Sequence, residues 1–241
     1  MQPASCPHNA EISCANCRLS GICLPIAIAH DEVVKLEQIV KRGKPLQKGD
    51  YLYRQEGEFK SIYAVRSGTL KGYRVTDSGD EQVTGFYLPG EIIGIDGISN
   101  NQYASSAVAL NTSAVCEIPF ERLESLSLQL PSLQRHFFQI MSQEIGDDQK
   151  LLTLINKNSA DERVAAMLLS LSARYKRRNL SSERFVLPMS RTDIGNFLGL
   201  TIETVSRVFS RFKQSSLVEI QGKEIQILDI DQLKVLAKVS A

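Results

Sequence analysis

Apolar and polar positions change rhythm along this chain. Residues 1–29 are polar and cysteine-bearing with no sustained period, so whatever the cysteines bind is expected to set their shape. Over 31–40, Val33, Val34, Leu36 and Val40 form the apolar face of a short amphipathic helix. From 43 to about 120, short apolar or alternating runs are separated by turn signals: Lys48-Gly49-Asp50, Glu56-Gly57-Glu58, Ser67-Gly68, Ser78-Gly79-Asp80 and Pro89-Gly90-Glu91. The runs Ser61-Ile62-Tyr63-Ala64-Val65 and Val83-Thr84-Gly85-Phe86-Tyr87-Leu88 read as strands. Many short strands at near-regular spacing predict a β-barrel or jelly roll.

From Pro131, a residue suited to a first helical turn, the period becomes helical. Gln134, Phe138, Met141, Ile145, Asp148, Leu152 and Ile155 step by four and three, the spacing of a helix–helix seam. A single helix lying on the barrel gives the same stripe. Asp148 is the odd member: on a self-pairing seam it meets its symmetry mate, and the two repel when ionised. That suits a dimer that forms only when helped. Asn158-Ser159-Ala160-Asp161 marks a break, with Ser159 or Asp161 capping a new helix over Val164, Ala165, Leu168, Leu169 and Leu171.

Further on, Ser190 caps a helix over 191–198, Gly199-Leu200-Thr201 makes a turn, and a second helix follows over 202–212. Val205, Val208, Phe209 and Phe212 form its apolar face, and Glu203, Ser206, Arg207 and Ser210 its polar one. The polar face suits the major groove. Arg207 can pair bidentately with guanine, Glu203 can accept from a cytosine amino group, and Ser206 can reach a base edge or phosphate. Leu217-Val218-Glu219-Ile220 and Glu224-Ile225-Gln226-Ile227, joined through Gly222, read as a β-hairpin wing.

Charge sharpens this division. Residues 1–156 hold 14 Lys/Arg against 18 Asp/Glu, whereas 157–241 hold 14 against 9. A basic module joined to an acidic one fits a reader of nucleic acid attached to a sensor. The chain has 241 residues, 43% of them hydrophobic, enough for one large or two ordinary domains. No apolar run reaches the length of a membrane span, and the first residues lack the pattern of a signal peptide, so a cytoplasmic location is expected.

In that reducing compartment, clustered cysteines favour metal or redox chemistry over disulfides. Cys14, Cys17 and Cys23 are closely spaced, and Cys116 stands far downstream. Four soft thiolates can hold an iron–sulfur cluster or a zinc ion. Cys14-x2-Cys17 could also serve as a redox dithiol, but no thioredoxin-like pattern surrounds it. His8, His30 and His136 are scattered, with His136 expected on the exposed side of the long helix, and none sits in a nucleophile–base pattern. The chain is therefore not read as an enzyme.

Several separate motifs resemble the CRP/FNR superfamily of dimeric bacterial regulators, and within it the oxygen-sensing FNR/ANR branch. They are Cys14-x2-Cys17-x5-Cys23, the stretches 62–68, 79–86 and 115–120, and the helix-turn-helix 193–207. The resemblance implies an α+β fold: an N-terminal β-roll of the cyclic-nucleotide-binding type, a long dimerisation helix and a C-terminal winged helix-turn-helix. The corresponding divisions are 1–29 (cluster segment), 30–124 (roll), 125–157 (dimerisation helix), 158–231 (winged helix) and 232–241 (tail).

It further implies one [4Fe–4S] cluster per monomer on Cys14, Cys17, Cys23 and Cys116. The protein would be a homodimer while the cluster is intact and a monomer after oxidation, pairing through Met141, Ile145, Asp148, Leu152 and Ile155. Glu203, Ser206 and Arg207 match the residues that read a palindrome of the form TTGAT-N4-ATCAA, with Thr201, Ser210 and Arg191 beside them. Val75, Thr76, Gly79 and Asp80 match a loop that touches RNA polymerase.

The chain departs from the pattern in three places. Cys6 lies outside the ligand set, and Arg18 follows a ligand where it could tune the cluster. Ala104-Ser105 stands where relatives that bind cyclic nucleotides carry Arg-Ser, so no cyclic-nucleotide binding is expected. A structural zinc site and a small-molecule effector are the alternatives to a cluster.

Overall fold

The computed structural model describes residues 13–157 and 159–238. Cys6, His8 and Asn158 lie outside the described residues. The chain divides into two compact units, Met1–Glu144 and Ile145–Ala241.

Among the described residues of the first unit, eight short strands form two four-stranded antiparallel sheets, a β-roll. They are β1 (Lys41–Arg42), β2 (Tyr51–Tyr53), β3 (Ser61–Ser67), β4 (Leu70–Val75), β5 (Glu81–Tyr87), β6 (Ile92–Ile93), β7 (Ser106–Ala109) and β8 (Ala114–Pro119). One sheet has the order β1-β8-β3-β6 and the other β2-β7-β4-β5. The core between them includes Ile62, Leu70, Ile93, Ala107 and Ile118, each at most 2% exposed. Aromatic side chains fill the rest. Tyr53 stacks on Tyr103 with centroids 3.9 Å apart, Phe59 meets Tyr103 edge-on, and the Tyr103 hydroxyl donates to the Ser61 carbonyl at 2.7 Å. The strands expected at 61–65 and 83–88 are β3 and β5, each shifted or extended by a residue or two.

Three helical readings change. The helix expected over 31–40 shrinks to α1 (Val33–Glu37), preceded by a 3-10 turn at His30–Glu32. Val33 and Leu36 are buried while Val34 faces out, and the chain is already extended at Lys41 to pair with β8. The segment from 125 is not one helix with the long one. α2 (Phe120–Gln129) continues directly from β8, Leu130 leaves helical geometry at φ −125° and ψ 85°, and α3 (Pro131–Lys157) starts afresh. Leu123, Leu126, Leu130, Leu133 and Phe137 carry α2 and the start of α3 onto the roll core. Fully burying such a side chain contributes about 1.5–3 kcal/mol. His136 turns its Nε2 inward, where it is buried without a hydrogen-bond partner, rather than outward.

The second unit holds α4 (Ala160–Arg177), β9 (Arg184–Val186), α5 (Arg191–Leu198), α6 (Ile202–Gln214), β10 (Val218–Gln221), β11 (Glu224–Ile227) and α7 (Ile230–Leu236). The strands form a β10-β11-β9 sheet, so the wing gains a strand that its hairpin pattern did not reveal. Ser159 caps α4 by accepting from the Glu162 amide. Part of the stretch read as a tail is helical: Asp229 caps α7, and Leu233 and Ala237 are buried. Lys238 pairs with Glu162 of α4 at 3.0 Å.

Candidate functional site

From 13 to 23 the chain runs through successive turns into a 3-10 helix at Leu24–Ala27. The Cys17 amide donates to the Cys14 carbonyl, Ser20 to Cys17, and Cys23 to Leu19. Apolar anchors at Leu19, Leu24 and Ile28, each at most 8% exposed, fix the course of these turns. Its shape therefore owes as much to burial as to thiol chemistry. Cys116 arrives from the opposite direction, in β8 between Arg42 of β1 and Ala64 of β3.

Cys14, Cys17, Cys23 and Cys116 line one cavity, part of it open to solvent. Its walls are otherwise mostly apolar, among them Leu24, Leu36, Val40, Val65 and Ile118, with Arg42 and Arg66 as the cations. Burial raises the thiols of Cys14, Cys23 and Cys116, the second to about 12. Burial thus favours the neutral thiol at these three positions.

Glu37 and Arg42 form a clamp behind Cys14. The Cys14 amide donates to Glu37 Oε2 at 2.6 Å, and Arg42 Nη2 donates to Glu37 Oε2 at 3.0 Å and lies 3.5 Å from Cys14 Sγ. Those bonds, first among them the ones from Arg42, lower the Glu37 carboxyl to about 2. No signal in the sequence pointed to this pair. Arg18, the charge the sequence singled out, is exposed.

Among the described residues, no three His, Cys, Asp or Glu side chains gather closely enough to hold a single metal ion. A four-iron cluster takes one thiolate per iron, so its ligands surround a volume instead of converging on one point. Four soft donors around one cavity, with apolar walls and two guanidinium groups to offset thiolate charge, fit such a cluster.

In the second unit, the Ser190 hydroxyl accepts from the Asp193 amide at 3.0 Å, and the Asp193 carboxylate accepts from the Ser190 amide at 2.9 Å, a reciprocal capping box. Gly199 ends α5 in the left-handed region at φ 63°. Arg163 Nη1 donates to the Leu198 carbonyl at 3.0 Å, satisfying a backbone group the helix end leaves open. At Gly195 the turn passes so close that a Cβ would lie 2.6 Å from the Leu200 carbonyl oxygen. Gly195→Ala is expected to destabilise this unit by about 1–3 kcal/mol, seen as a lower denaturation midpoint with the same slope.

The second helix, α6, is pinned by Val205, Val208, Phe209 and Phe212, each at most 2% exposed. Glu203, Ser206, Arg207 and Ser210 are exposed on its other side. Two neighbouring candidates are already engaged. The Thr201 hydroxyl caps α6 at the Thr204 amide, and the Arg191 guanidinium lies 3.5 Å above the Phe209 ring, where burial lowers it. Several cations of this region also serve the fold: Arg211 pairs with Asp161, and Arg184 with Glu224 at 2.7 Å. Arg207, Lys176, Arg177 and Lys213 remain exposed.

Along α3, Phe138, Ile145 and Leu152 are 57%, 60% and 61% exposed, a stripe without cover in the single chain. Met141 and Ile155, assigned to the same seam, are partly buried. Met141 packs against the roll core, and Ile155 lies beside the turn at Gly199. Asp148 is exposed; partial desolvation and then the Asp147 charge raise its carboxyl above the ordinary value. Lys150 pairs with Asp147 at 2.8 Å. Val75, Thr76, Gly79 and Asp80 sit at the exposed tip of the β4–β5 hairpin, closed by the Thr76 amide donating to the Asp80 carbonyl at 2.9 Å.

A β-roll, a long helix with a bare apolar stripe and a capped helix-turn-helix with a wing define a DNA-binding transcription regulator. Residues 44–129 match the cyclic nucleotide-binding domain family and residues 162–236 the Crp-like helix-turn-helix domain family. The chain is 51% identical to the transcriptional activator protein Anr of Pseudomonas protegens, over 95% of this chain and 94% of that one. It is 53% identical to FnrA of Stutzerimonas stutzeri, over 94% and 93%. It is 46% identical to the fumarate and nitrate reduction regulatory protein of Vibrio cholerae, over 95% and 92%. The structure of FixK2 from Bradyrhizobium japonicum superposes with a TM-score of 0.77 at 26% identity, over 84% of this chain and 100% of that one.

The chain belongs to the CRP/FNR family. It is a regulator of the FNR type and not an enzyme, and the family binds DNA as a dimer. No helix among the described residues is long and apolar enough to cross a membrane.

Proposed function

We propose that this protein regulates transcription of anaerobic metabolism in response to oxygen. The observation that carries the reading is the single cavity lined by Cys14, Cys17, Cys23 and Cys116, drawn from segments about a hundred residues apart. Cys14, Cys17, Cys23 and Cys116 would hold one [4Fe–4S] cluster per monomer, which would supply an oxygen-labile link between the N-terminal segment and the roll. The name of one relative, a fumarate and nitrate reduction regulatory protein, fits a role in anaerobic metabolism.

The remaining steps combine the exposed stripe of α3 and the polar face of α6 with the operator and polymerase contact that the family resemblance implies. Pairing covers Ile145 and Leu152 of both copies, each worth about 1.5–3 kcal/mol when fully buried. It also brings two Asp148 carboxylates together at a cost on the order of a few kcal/mol. Set against that gain, the repulsion together with the freedom lost on association, about 4–15 kcal/mol, leaves a balance small enough for ordering of the N-terminal segment to decide between monomer and dimer. Ile155, beside Gly199, lies at the point where α3 approaches the helix-turn-helix. In the dimer, two α6 helices about 34 Å apart read a palindrome of the TTGAT-N4-ATCAA type.

The exposed 75–80 hairpin tip serves as the contact to RNA polymerase; activation or repression follows from where the site lies in a promoter. Tyr53, Phe59 and Tyr103 occupy the interior of the roll, and Ser105 is committed to Asp96 at 2.7 Å. This supports the reading that no cyclic nucleotide binds.

The test is anaerobic purification with iron and sulfide assay, then size-exclusion before and after air. Wild type is expected to shift from dimer to monomer. Asp148→Ala is expected to remain dimeric in air, and a monomeric variant would refute the repulsion account.

A further inference from the structure

Resting on the cluster assignment, we infer that Arg42, clamped by Glu37, is a positioning residue for Cys14 that tunes how readily the site yields to oxygen.

Arg42 is placed by topology. In β1 it stands in register with Cys116 of β8, and only 12% of its side chain is exposed. Its Nη2 group lies 3.5 Å from Cys14 Sγ, so the one guanidinium borders both ends of the ligand set. Glu37, at the end of α1, orients it by accepting from Nη2 at 3.0 Å and also holds the Cys14 amide at 2.6 Å. The result is a closed ring: Cys14 amide, Glu37 carboxylate, Arg42 guanidinium, Cys14 sulfur. Arg42 Nε is buried without a hydrogen-bond partner in the described structure, an uncompensated donor on the cavity wall.

Two physical effects follow. First, the ring holds the Cys14 turn against the roll before any metal enters, which lowers the ordering cost of assembly. Second, four thiolates make the loaded site net negative. A cation and an N–H donor beside a ligating sulfur stabilise that charge and make loss of an electron harder. Arg18 is next to Cys17 in sequence but faces solvent, where screening weakens any such influence.

The test compares wild type, Arg42→Met, Arg42→Lys and Glu37→Gln, each purified anaerobically as full chain. Iron and sulfide per chain and the far-UV spectrum are measured first. The rate at which visible absorption decays in air-saturated buffer is then measured on the loaded fraction only. Arg42→Met is expected to lose absorption about tenfold faster than wild type, with Glu37→Gln intermediate. Arg42→Lys, which keeps the charge but not the fork, is expected to recover part of the difference.

A purely structural role would lower loading but leave the decay of the loaded fraction unchanged in all three variants, and that result would overturn the inference. If Arg42→Met does not fold, the same comparison rests on Arg42→Lys and Glu37→Gln. Wild type free of iron and sulfide would instead sink the cluster assignment, and this inference with it.

Discussion

Cys116→Ser is expected to abolish iron and sulfide binding and, with it, to weaken dimerisation and operator binding, even under argon. Serine keeps the shape of the side chain but offers a hard, protonated oxygen where the site requires a soft thiolate. Cys116 is the one ligand candidate that the β-roll contributes, from β8 hydrogen-bonded on both sides to β1 and β3. Losing it removes the only covalent path by which a bound cluster could fasten the N-terminal segment to the roll. The Glu37–Arg42 clamp then acts alone. A switch built on a few kcal/mol of coupling should lose on the order of 100-fold in operator affinity. Cys116 is only partly buried, so the fold should survive, and an unchanged far-UV spectrum would confirm that. The measurement is anaerobic titration of a fluorescent palindromic duplex. Normal binding by the variant would end the proposal that this cavity governs DNA affinity.

Arg207→Ala carries the second large effect. Its helix is fixed by four buried apolar residues, so removing an exposed side chain should leave the unit folded. A bidentate contact to guanine discriminates by about 1–3 kcal/mol, and a dimer makes two. Affinity for the palindrome should therefore fall by about 30-fold or more, with little change on an unrelated duplex. Arg211 lies one turn further along the same helix but is committed to Asp161. Arg211→Ala should cost stability and leave specificity intact. Equal losses for Arg207→Ala on specific and unrelated DNA would show that the side chain meets phosphate rather than a base edge.

The helix-turn-helix was legible in the sequence because its determinants are local. Ser190 with Asp193, Gly195, Gly199 and the Val205–Phe212 spacing all act within a few residues of one another. The roll was legible as a class for a related reason: turn glycines and alternating runs report strands without saying how they pair. α2 escaped notice because its anchors Leu123, Leu126 and Leu130 follow a strand without a break, and Pro131 gave a stronger start signal. α7 escaped because a seven-residue helix carries too few turns to show a period and is stabilised by burial of Leu233. The repeat along α3 is visible in the sequence as spacing. Spacing could not show which members are bare, as Ile145 and Leu152 are, and which are partly covered within their own unit, as Met141 and Ile155 are.

The proposed cluster site divides along the same line. Ligand chemistry, the cap-and-turn grammar of the DNA reader and the charge contrast between its halves reside in residue types and short spacings, so the linear chain by itself determined them. Which distant groups face each other depends on strand register and on how turns are buried. Only the folded chain brings Cys116 to the cavity of Cys14, Cys17 and Cys23, sets Arg42 opposite it and leaves Arg18 in solvent. A shift of one residue in β1 would turn Arg42 to the other face of its sheet. That is why its role is invisible until the strands are paired.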